Sequence, residues 1–578
     1  MEQVTKWLAG NSFFLPHLFK NLIKLLRMNK ETINLDITGM TCDHCATGIK
    51  KLLAKNEGVT EAKVSYPQAT CECSFDPSKT SKEEIINTIN GTKYYRVKDQ
   101  ISGNGKGDNK QFDLIIIGGG SAAFSAAIKA ESLGLTTLMV NGGLDFGGTC
   151  VNVGCVPSKT LIRAGETAYH ATHSNFAGIK PKGVEIDFAQ VIKDKKKLVA
   201  TLQEKKYMDV VSDFQHLTML EGWAEFKDDK TIVVNRKEEY KALKFIIATG
   251  VTTNTQNIEG LNEIGYLTNV SLFDLEEKPE SLTIMGAGYI GLEIAMAYNR
   301  LGVKVRIIEF TDRVLRTQTP DISEALETQM RKEGIEILPN FRAVKFEKQG
   351  TETIIHCKCP DGSFTKIVEK GKVVIATGTK PNTDKLGLNN IELTLTESGH
   401  IAVNKKMETN LPNVYAAGDV TNTPAFVYTA AFEGNIAVEN AFTGAENKAD
   451  YSSLPWVVFT DPQVAGAGLD EAQAEKQNIP FEVSKLELKD VPRAIAANDT
   501  RGFIKLIRNT ETDKLVGARV VAPEGGELIQ QLSMAIKYGI TVKDLADSFY
   551  PYLTLGEGIK LAAITFGKDV SKLSCCAS

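Results

Sequence analysis

Residues 112–123 read FDLIIIGGGSAA, an apolar run that leads directly into a glycine-rich turn. This spacing, followed by a helix and a second apolar strand, matches the Gly-x-Gly-x-x-Gly/Ala fingerprint of a dinucleotide-binding fold. In that fingerprint Gly118 makes the tight turn, Gly120 lets the backbone approach a pyrophosphate, and Ala123 permits close packing of helix on strand. Asn141 ends the second strand where an acidic residue is expected, and its amide can still hydrogen-bond a ribose hydroxyl.

The same pattern recurs as LTIMGAGYIG at residues 282–291, again between an apolar strand and a helix. The glycine positions of this copy are filled by Gly286, Gly288 and Gly291. Glu309, at the end of the next strand, favours the ribose 2′-hydroxyl of NADH, whereas Arg313 and Arg316 favour the 2′-phosphate of NADPH. One fingerprint is weak evidence, but two copies in the strand–turn–helix context indicate two dinucleotide-binding folds.

Ten cysteines fall into five close pairs, which indicates metal or thiol chemistry in a reducing compartment rather than a secreted disulfide scaffold. The string GMTCDHC at residues 39–45 places Cys42 and Cys45 at the opening of a predicted helix, where thiol pKa values fall. Thiolates select soft cations such as Cu(I), Zn(II) or Hg(II). Cys575 and Cys576 are adjacent near the C-terminus, which disfavours a structural disulfide and favours a soft-metal ligand pair.

Two other cysteine pairs lie on predicted strands. Cys71 and Cys73 alternate and therefore face one side of a sheet. They are either an auxiliary metal pair or two buried apolar thiols, and we favour the second interpretation. Cys357 and Cys359 alternate in the same way and need no function.

Charge and composition exclude several classes of protein. The net charge of −4 gives no electrostatic footprint for nucleic acid, and the 42% hydrophobic and 24% charged residues are ordinary for a globular chain. An uninterrupted apolar run long enough to span a bilayer is absent from the sequence, so a cytoplasmic protein is expected. The lysine-rich run 193–197 and the pair His170 and His173 are each interpreted as a solvated helical face.

Residues 1–29 form a leader of uncertain role. Apolar residues alternate there with lysines, so one interpretation is a basic amphipathic helix on a membrane surface. The other is an upstream extension or a misassigned start, because Met28 opens a well-formed domain. The late charges and the lack of a small-residue cleavage site argue against a signal peptide.

Residues 30–100 follow the order strand, helix, strand, strand, helix, strand, which is the βαββαβ order of a ferredoxin-like fold. With its Met-Thr-Cys-x-x-Cys string, this segment resembles the heavy-metal-associated domains of copper chaperones and metal ATPases. The helices predicted directly after the cysteine loop and the two glycine-rich turns are 49–55, 125–133 and 292–301.

Further strings extend the two fingerprints: ATG at 248–250 and at 376–378, and GD at 418–419. Together they resemble the class I pyridine nucleotide-disulfide oxidoreductases. The resemblance implies an α/β protein with two Rossmann-like domains and an α+β dimerisation domain, FAD in the first dinucleotide fold, a nicotinamide cofactor in the second, and Asp419 at the flavin ribityl chain. The expected boundaries are 30–100 for the metal domain, 101–111 for a flexible linker, 112–265 and 386–455 for the FAD domain, 266–385 for the NAD(P) domain and 456–578 for the dimerisation domain.

The segment GGTCVNVGCVPSK, residues 147–159, resembles the active disulfide of the glutathione reductase and lipoamide dehydrogenase class. The resemblance implies that Cys150 is the outward nucleophile and that Cys155 is a thiolate against the flavin. Lys159 is expected near the flavin edge, paired with Glu293. Tyr289 is expected to cover the nicotinamide pocket, although plain packing would also explain it and Lys159. The remaining cofactor contacts expected on the same grounds are Gly148, Thr149, Gly250 and Gly378.

The C-terminal part departs from that class. Its dithiol-substrate reductases carry a His-x-x-x-x-Glu base, and here Tyr552 replaces the histidine while Glu557 is retained. His400 is the last histidine of the chain. Because histidine is the usual general acid–base catalyst near pH 7, its loss argues against glutathione or lipoamide as the substrate.

Four strings extend the comparison: CVNVGCVPSK (150–159), VVFTDPQV (457–464), NDTRGFIKL (498–506) and the Ser-Cys-Cys tail. With them, residues 32–578 resemble the mercuric reductase family. The resemblance implies a homodimer with shared active sites that reduces Hg(II) with FAD and NADPH, NADH being the rival. Hg(II) would pass from Cys42/Cys45 to Cys575/Cys576 and then to Cys150/Cys155. Tyr552 and Glu557 would lie beside this last pair. Transient contact with a mercury transporter is a further hypothesis. One alternative is a glutathione- or lipoamide-type reductase with a fused metal domain. The other is a metal-buffering protein whose flavoprotein scaffold has lost its enzymatic activity.

Overall fold

The computed structural model describes residues 30–38, 43–65, 70–92, 96–97 and 110–569. The chain divides into two compact units, Met1–Gly105 and Lys106–Ser578. Within the described residues, no helix is both long enough and apolar enough to cross a membrane.

The first unit has the predicted βαββαβ order. Its helices are Asp43–Leu53 and Lys82–Asn90, and its antiparallel sheet consists, in spatial order, of Val59–Ser65, Thr70–Phe75, Glu31–Thr38 and Arg96–Val97. Cys71 and Cys73 lie opposite Leu35 and Ile33 and are fully buried. Burial raises the pKa of Cys71 to about 12 and that of Cys73 to about 11. The burial that the favoured interpretation of these residues requires is therefore present.

The first dinucleotide fold is built on a seven-stranded sheet. Its main path runs Leu217–Glu221, Thr137–Asn141, Gln111–Ile117, Glu238–Ile247, Thr231–Val234 and Ala224–Asp228. The first four of these strands are parallel, and Val414–Ala416 adds to Glu238–Ile247 in the same direction. Helices Ser121–Ser132 and Val427–Thr443 pack against each other on this sheet, with buried alanines at their contact. A late segment of the chain thus completes the first sheet.

The second dinucleotide fold has a parallel four-stranded sheet in the order Glu336–Leu338, Lys304–Ile308, Ser281–Met285 and Lys372–Ile375. Its helices are Tyr289–Arg300 and Pro320–Lys332. An antiparallel sheet of Arg342–Gln349, Glu352–Lys358 and Phe364–Glu369 adjoins it. A small two-stranded sheet pairs Val251–Thr253 with Thr379–Pro381.

The C-terminal part is α+β. Its antiparallel sheet runs in the order Trp456–Val458, Gln463–Gly468, Leu515–Ala522, Phe503–Asn509 and Phe481–Glu487. Its helices are Glu471–Lys476, Pro492–Ala496, Gly525–Lys537, Val542–Asp547 and Glu557–Ile564.

Helical segments also join the two dinucleotide folds. They are Gly148–Val153, Cys155–Thr172, Phe188–Gln203, the π-helical turn Glu204–Met208, Asp209–Val211 and Asn269–Leu272. Single 3-10 turns lie at Leu261–Glu263, Leu388–Ile391 and Leu488–Asp490.

Three predicted helix starts were wrong, each by several residues. The helices begin at Asp43, Ser121 and Tyr289 rather than at 49, 125 and 292. In the two dinucleotide folds a glycine of the turn is itself the N-cap, with extended backbone and no capping side chain. The helix therefore starts without the polar capping signal by which sequence patterns locate helix ends.

Three further predictions also need correction. Lys195 of the lysine run is only 2% exposed and pairs with Asp274, because the inner face of helix Phe188–Gln203 packs on the second dinucleotide fold. His173 is not on a helical face: it follows the end of helix Cys155–Thr172 and stacks on Tyr169, while His170 is exposed as predicted. Cys359 lies beyond the strand that buries Cys357.

Candidate functional site

Cys150 and Cys155 lie on two consecutive helices that meet at Gly154. Cys150 is in helix Gly148–Val153, Gly154 separates the helices, and Cys155 begins helix Cys155–Thr172. A Cβ atom on Gly154 would lie 2.8 Å from the carbonyl oxygen of Thr149, so the close approach of the two helices requires glycine. Both thiols are free and half-buried.

The pKa values of the two thiols are shifted in opposite directions. A hydrogen bond from the Cys150 thiol lowers the pKa of Cys155, and the Lys159 ammonium lowers it further against the effect of burial. The same hydrogen bond, together with burial, raises the pKa of Cys150. Of the two thiols, Cys155 is thus the one whose thiolate form is favoured, which agrees with the thiolate role that the resemblance implies for it.

The predicted contact between Lys159 and Glu293 is present. Lys159 Nζ lies 2.6 Å from Glu293 Oε2 and 4.5 Å from the centre of the Phe459 ring. The other carboxylate oxygen of Glu293 accepts a hydrogen bond of 3.0 Å from the Phe459 amide. Because Glu293 is only 6% exposed, this ion pair connects the cysteine helix, the second dinucleotide fold and the C-terminal part in a shielded setting.

Replacing Lys159 by methionine is expected to raise the pKa of Cys155, because the thiolate loses a nearby positive charge. Glu293→Gln is expected to lower it, since the Glu293 carboxylate opposes the thiolate. The measurement is the ultraviolet absorbance of the thiolate against pH in the reduced protein, taken as the difference from a Cys155→Ala variant. We expect the Lys159→Met midpoint to lie about one pH unit above wild type; coincident curves would contradict this account.

The first glycine-rich turn forms a cradle with the cysteine segment. A Cβ atom on Gly118 would lie 2.1 Å from the Ala248 carbonyl oxygen, and one on Gly148 would lie 2.6 Å from the Cα of Gly120. Ala123 is fully buried, and the Asn141 amide donates to the carbonyl of Leu144. Gly250 lies just after the neighbouring strand Glu238–Ile247, at a positive φ of 64° with open space around it. Thr149 follows the cradle in helix Gly148–Val153. Bare backbone at these points fits a pyrophosphate group.

Asp419 follows a glycine turn next to this cradle. Burial, with the charge of Glu433 second, raises the pKa of Asp419 to about 6. Glu433 is fully buried and accepts hydrogen bonds of 2.7 Å from the Gly418 amide and 2.6 Å from the Tyr451 hydroxyl. The desolvated carboxyl of Asp419 beside Glu433 fits a hydroxyl-bearing ligand such as a ribityl chain.

The second glycine-rich turn has the same construction. A Cβ atom on Gly291 would lie 2.1 Å from the Gly286 carbonyl oxygen, whereas one on Gly288 would meet no atom within 4 Å. Gly378 lies just after the adjacent strand Lys372–Ile375, with a φ of 98° and equally open surroundings. This open backbone at a helix N-terminus fits the pyrophosphate of a second dinucleotide.

Glu309 and the two arginines near it are already engaged within the protein. The Glu309 carboxylate accepts hydrogen bonds of 2.6 Å from the Ala287 amide and 2.7 Å from the Thr311 amide. The guanidinium groups of Arg313 and Arg316 each lie 3.0 Å from a carboxylate oxygen of Asp312. Glu309 therefore stands at the turn as predicted, and the arginines lie on the loop that follows it.

Tyr552 and Glu557, which the sequence analysis places beside the active site, lie in the C-terminal part of the chain, away in sequence from the helices that carry Cys150 and Cys155. Tyr552 is 56% exposed, between helices Val542–Asp547 and Glu557–Ile564. A carboxylate oxygen of Glu557 accepts a hydrogen bond of 3.3 Å from the Leu553 amide, next to Tyr552. Cys42, Cys575 and Cys576 lie outside the described residues, and only the backbone of Cys45 is described.

Three aromatic residues near the cysteine pair were not predicted from the sequence as part of the site. Burial, and then the charge of Cys155, raises the pKa of Tyr428 to about 12. The Tyr207 hydroxyl lies 3.4 Å from Ser121 Oγ; burial raises its pKa, and the two thiols contribute in the same direction. Phe459 covers Lys159. Of the three, only Phe459 falls within a string that the sequence analysis singled out, and no residue spacing marks the others.

Comparisons with known proteins agree with this architecture. Family models match at residues 34–95 (heavy-metal-associated domain), 112–434 (pyridine nucleotide-disulphide oxidoreductase) and 454–563 (the dimerisation domain of the same family). A structure of the HOCl-induced flavoprotein disulfide reductase RclA from Escherichia coli, described as the Cu(II) complex of a mutant, aligns with a TM-score of 0.71 and 26% identity over 79% of this chain and 100% of that chain.

Curated relatives narrow the family. Mercuric reductases of Staphylococcus aureus and Lysinibacillus sphaericus are each 38% identical to this chain, over 95% of its length and 100% of theirs. The mercuric reductase of Streptomyces lividans is 40% identical over 81% of this chain and 98% of its own. The chain belongs to the mercuric reductase family of pyridine nucleotide-disulphide oxidoreductases.

Proposed function

We propose that this chain is a mercury(II) reductase that serves mercury detoxification. The net reaction is Hg²⁺ + NADPH → Hg⁰ + NADP⁺ + H⁺, in which the ion gains two electrons and no substrate sulfur is protonated. The observation that carries the proposal is the asymmetric thiol pair Cys150 and Cys155 beside Lys159, in a chain whose C-terminal part contains no histidine. A reaction that requires thiolate ligands rather than an imidazole base fits this site.

Both cofactors fit the glycine-rich turns. FAD would be held at Gly118, Gly120, Gly148 and Asp419, and NADPH at Gly286, Gly288 and Gly291; FAD, when bound, supplies a two-electron carrier between the nicotinamide and the thiols. With NADPH, the 2′-phosphate would be bound by Arg313 and Arg316 in exchange for Asp312. Kinetic constants for NADPH and NADH test this preference.

The chain's own residues prepare the metal for reduction. The Cys155 thiolate is available at neutral pH because Cys150 and Lys159 stabilise it. Loss of the Cys150 proton when Hg(II) binds would give two thiolate ligands, which soft Hg(II) prefers. Tyr552 and Glu557 would line the entry to this pair, the carboxylate by fixing the backbone beside the tyrosine.

The match to a dimerisation domain indicates a homodimer. Apolar side chains that are strongly exposed in the single chain support an interface in the C-terminal part: Met534, Tyr538, Phe549, Tyr552 and Leu553. We propose that the active sites are shared, so that Cys575 and Cys576 of one subunit deliver Hg(II) to Cys150 and Cys155 of the other. Cys42 and Cys45 would capture the ion first.

This delivery is a chain of thiolate exchanges that never releases free Hg(II). We place it in the cytoplasm, where thiols remain reduced. A transient contact between the heavy-metal-associated domain and a mercury transporter would supply the ion.

The test follows NADPH absorbance in the FAD-containing protein with Hg(II) in excess thiol, then with oxidised glutathione or oxidised lipoamide. We expect turnover with Hg(II) in excess thiol and none with either disulfide. A Cys575→Ala/Cys576→Ala variant is expected to lose most turnover with Hg(II) held by excess thiol, while a Cys359→Ala variant keeps it. Brisk reduction of a disulfide without reduction of Hg(II) would establish the rival disulfide reductase instead.

A further inference from the structure

Tyr289, the first residue of the helix after the second glycine-rich turn, is held by side chains from two other parts of the chain. Gln318 Nε2 lies 3.3 Å from the Tyr289 hydroxyl oxygen. The Trp456 ring stacks on the tyrosine ring, with centroids 5.9 Å apart and an interplanar angle of 12°. One of these contacts fixes the hydroxyl, and the other fixes the plane of the ring.

Gln318 is in turn fixed by Arg519. Arg519 Nε donates to Gln318 Oε1 at 3.2 Å, and Arg519 is only 2% exposed. Its Nη1 atom donates to main-chain carbonyl groups, including those of Ala518 at 2.8 Å and Ala467 at 3.2 Å. The guanidinium is therefore anchored within the five-stranded sheet of the C-terminal part.

This arrangement decides the direction of each hydrogen bond. A guanidinium can only donate, so the Gln318 oxygen must face Arg519 and its amide NH₂ must face Tyr289. The Tyr289 oxygen then accepts, and its own proton remains available to donate. Gln318 is only 8% exposed, so water does not readily replace this contact.

We propose that Gln318 and Arg519 are positioning residues for the nicotinamide cofactor, because they hold Tyr289 in one orientation as a hydrogen-bond donor. The C-terminal part thus controls a residue of the second dinucleotide fold. The proposal rests on the proposed function in taking a nicotinamide dinucleotide as the ligand of that fold, and on the predicted place of Tyr289 at its pocket, but it does not depend on Hg(II).

The experiment measures binding of NADP⁺ to the oxidised, FAD-containing full-length protein by calorimetry, without Hg(II). The variants are Gln318→Met, Tyr289→Phe and the double variant, with Gln329→Met as the matched control because this buried glutamine bonds Glu333 instead. We expect Gln318→Met and Tyr289→Phe each to weaken binding about fivefold, as for loss of one buried hydrogen bond. The double variant should bind no more weakly than Tyr289→Phe, and Gln329→Met should bind as wild type.

The double-mutant comparison separates positioning from general damage. If Gln318→Met costs as much in the Tyr289→Phe background as in wild type, or costs nothing in either, the proposal is wrong. Arg519→Lys is the second variant should Gln318→Met fold poorly: it keeps the charge, loses the Nε contact, and is expected to weaken binding only when the Tyr289 hydroxyl is present. Failure of Hg(II) turnover with this coupling intact would count against the proposed function and not against this inference.

Discussion

Cys155→Ala is expected to lower Hg(II)-dependent oxidation of NADPH by about a thousandfold or more, as for loss of an essential catalytic thiolate. The reason is that Cys155 is the only member of the pair whose pKa is lowered, by the Cys150 hydrogen bond and by Lys159. Without it, Cys150 offers Hg(II) one sulfur ligand in place of two. The measurement is steady-state turnover at saturating NADPH with Hg(II) in excess thiol.

The matched control is Cys359→Ala, another half-buried free thiol outside the site. It should turn over at the wild-type rate. Flavin content must be equal in all samples, so that loss of the cofactor is not mistaken for loss of the thiolate. A Cys155→Ala protein that retains FAD and works within tenfold of wild type would contradict the assigned role.

Gly148→Ala is expected to give a protein that binds FAD at least about tenfold more weakly. A Cβ atom at this position would lie 2.6 Å from the Cα of Gly120, which is backbone and cannot yield as a flexible side chain would. The cradle would have to open at the point where the first glycine-rich turn approaches the cysteine segment. Flavin absorbance per chain after purification and dialysis measures the effect.

Gly134→Ala controls for the cost of an alanine at positive φ. Gly134 has a φ of 68°, close to the 65° of Gly148, but open space surrounds the position of its Cβ atom. Both variants therefore carry the same backbone strain, of about 1–2 kcal/mol. If both lost FAD equally, strain rather than the closed cradle would explain the result.

Much of the fold was predictable because its signals are local. The two glycine-rich turns need glycine where backbone meets backbone, as Gly118 does at Ala248 and Gly291 at Gly286, and such requirements leave fixed spacings in the sequence. The βαββαβ unit was predictable from its alternation of apolar residues. The contact between Lys159 and Glu293 was predictable only through the family resemblance, since their positions are far apart in the chain.

The contacts that the sequence did not predict depend on packing between distant segments of the chain. Lys195 reads as one of several surface lysines, yet its side chain is buried against the second dinucleotide fold and neutralised by Asp274. Tyr428 reaches Cys155 because a late helix packs on the first sheet. The chain from Arg519 through Gln318 to Tyr289 joins three segments, so no single motif could reveal it.

The most direct test of the central claim is to measure Hg(0) vapour and NADPH consumption in the same reaction, with the FAD-containing protein and Hg(II) in excess thiol. We predict one Hg(0) released for each NADPH oxidised, and no Hg(0) from the Cys155→Ala protein. NADPH consumption without release of mercury vapour would show that the thiol pair delivers its electrons elsewhere, and would contradict the account.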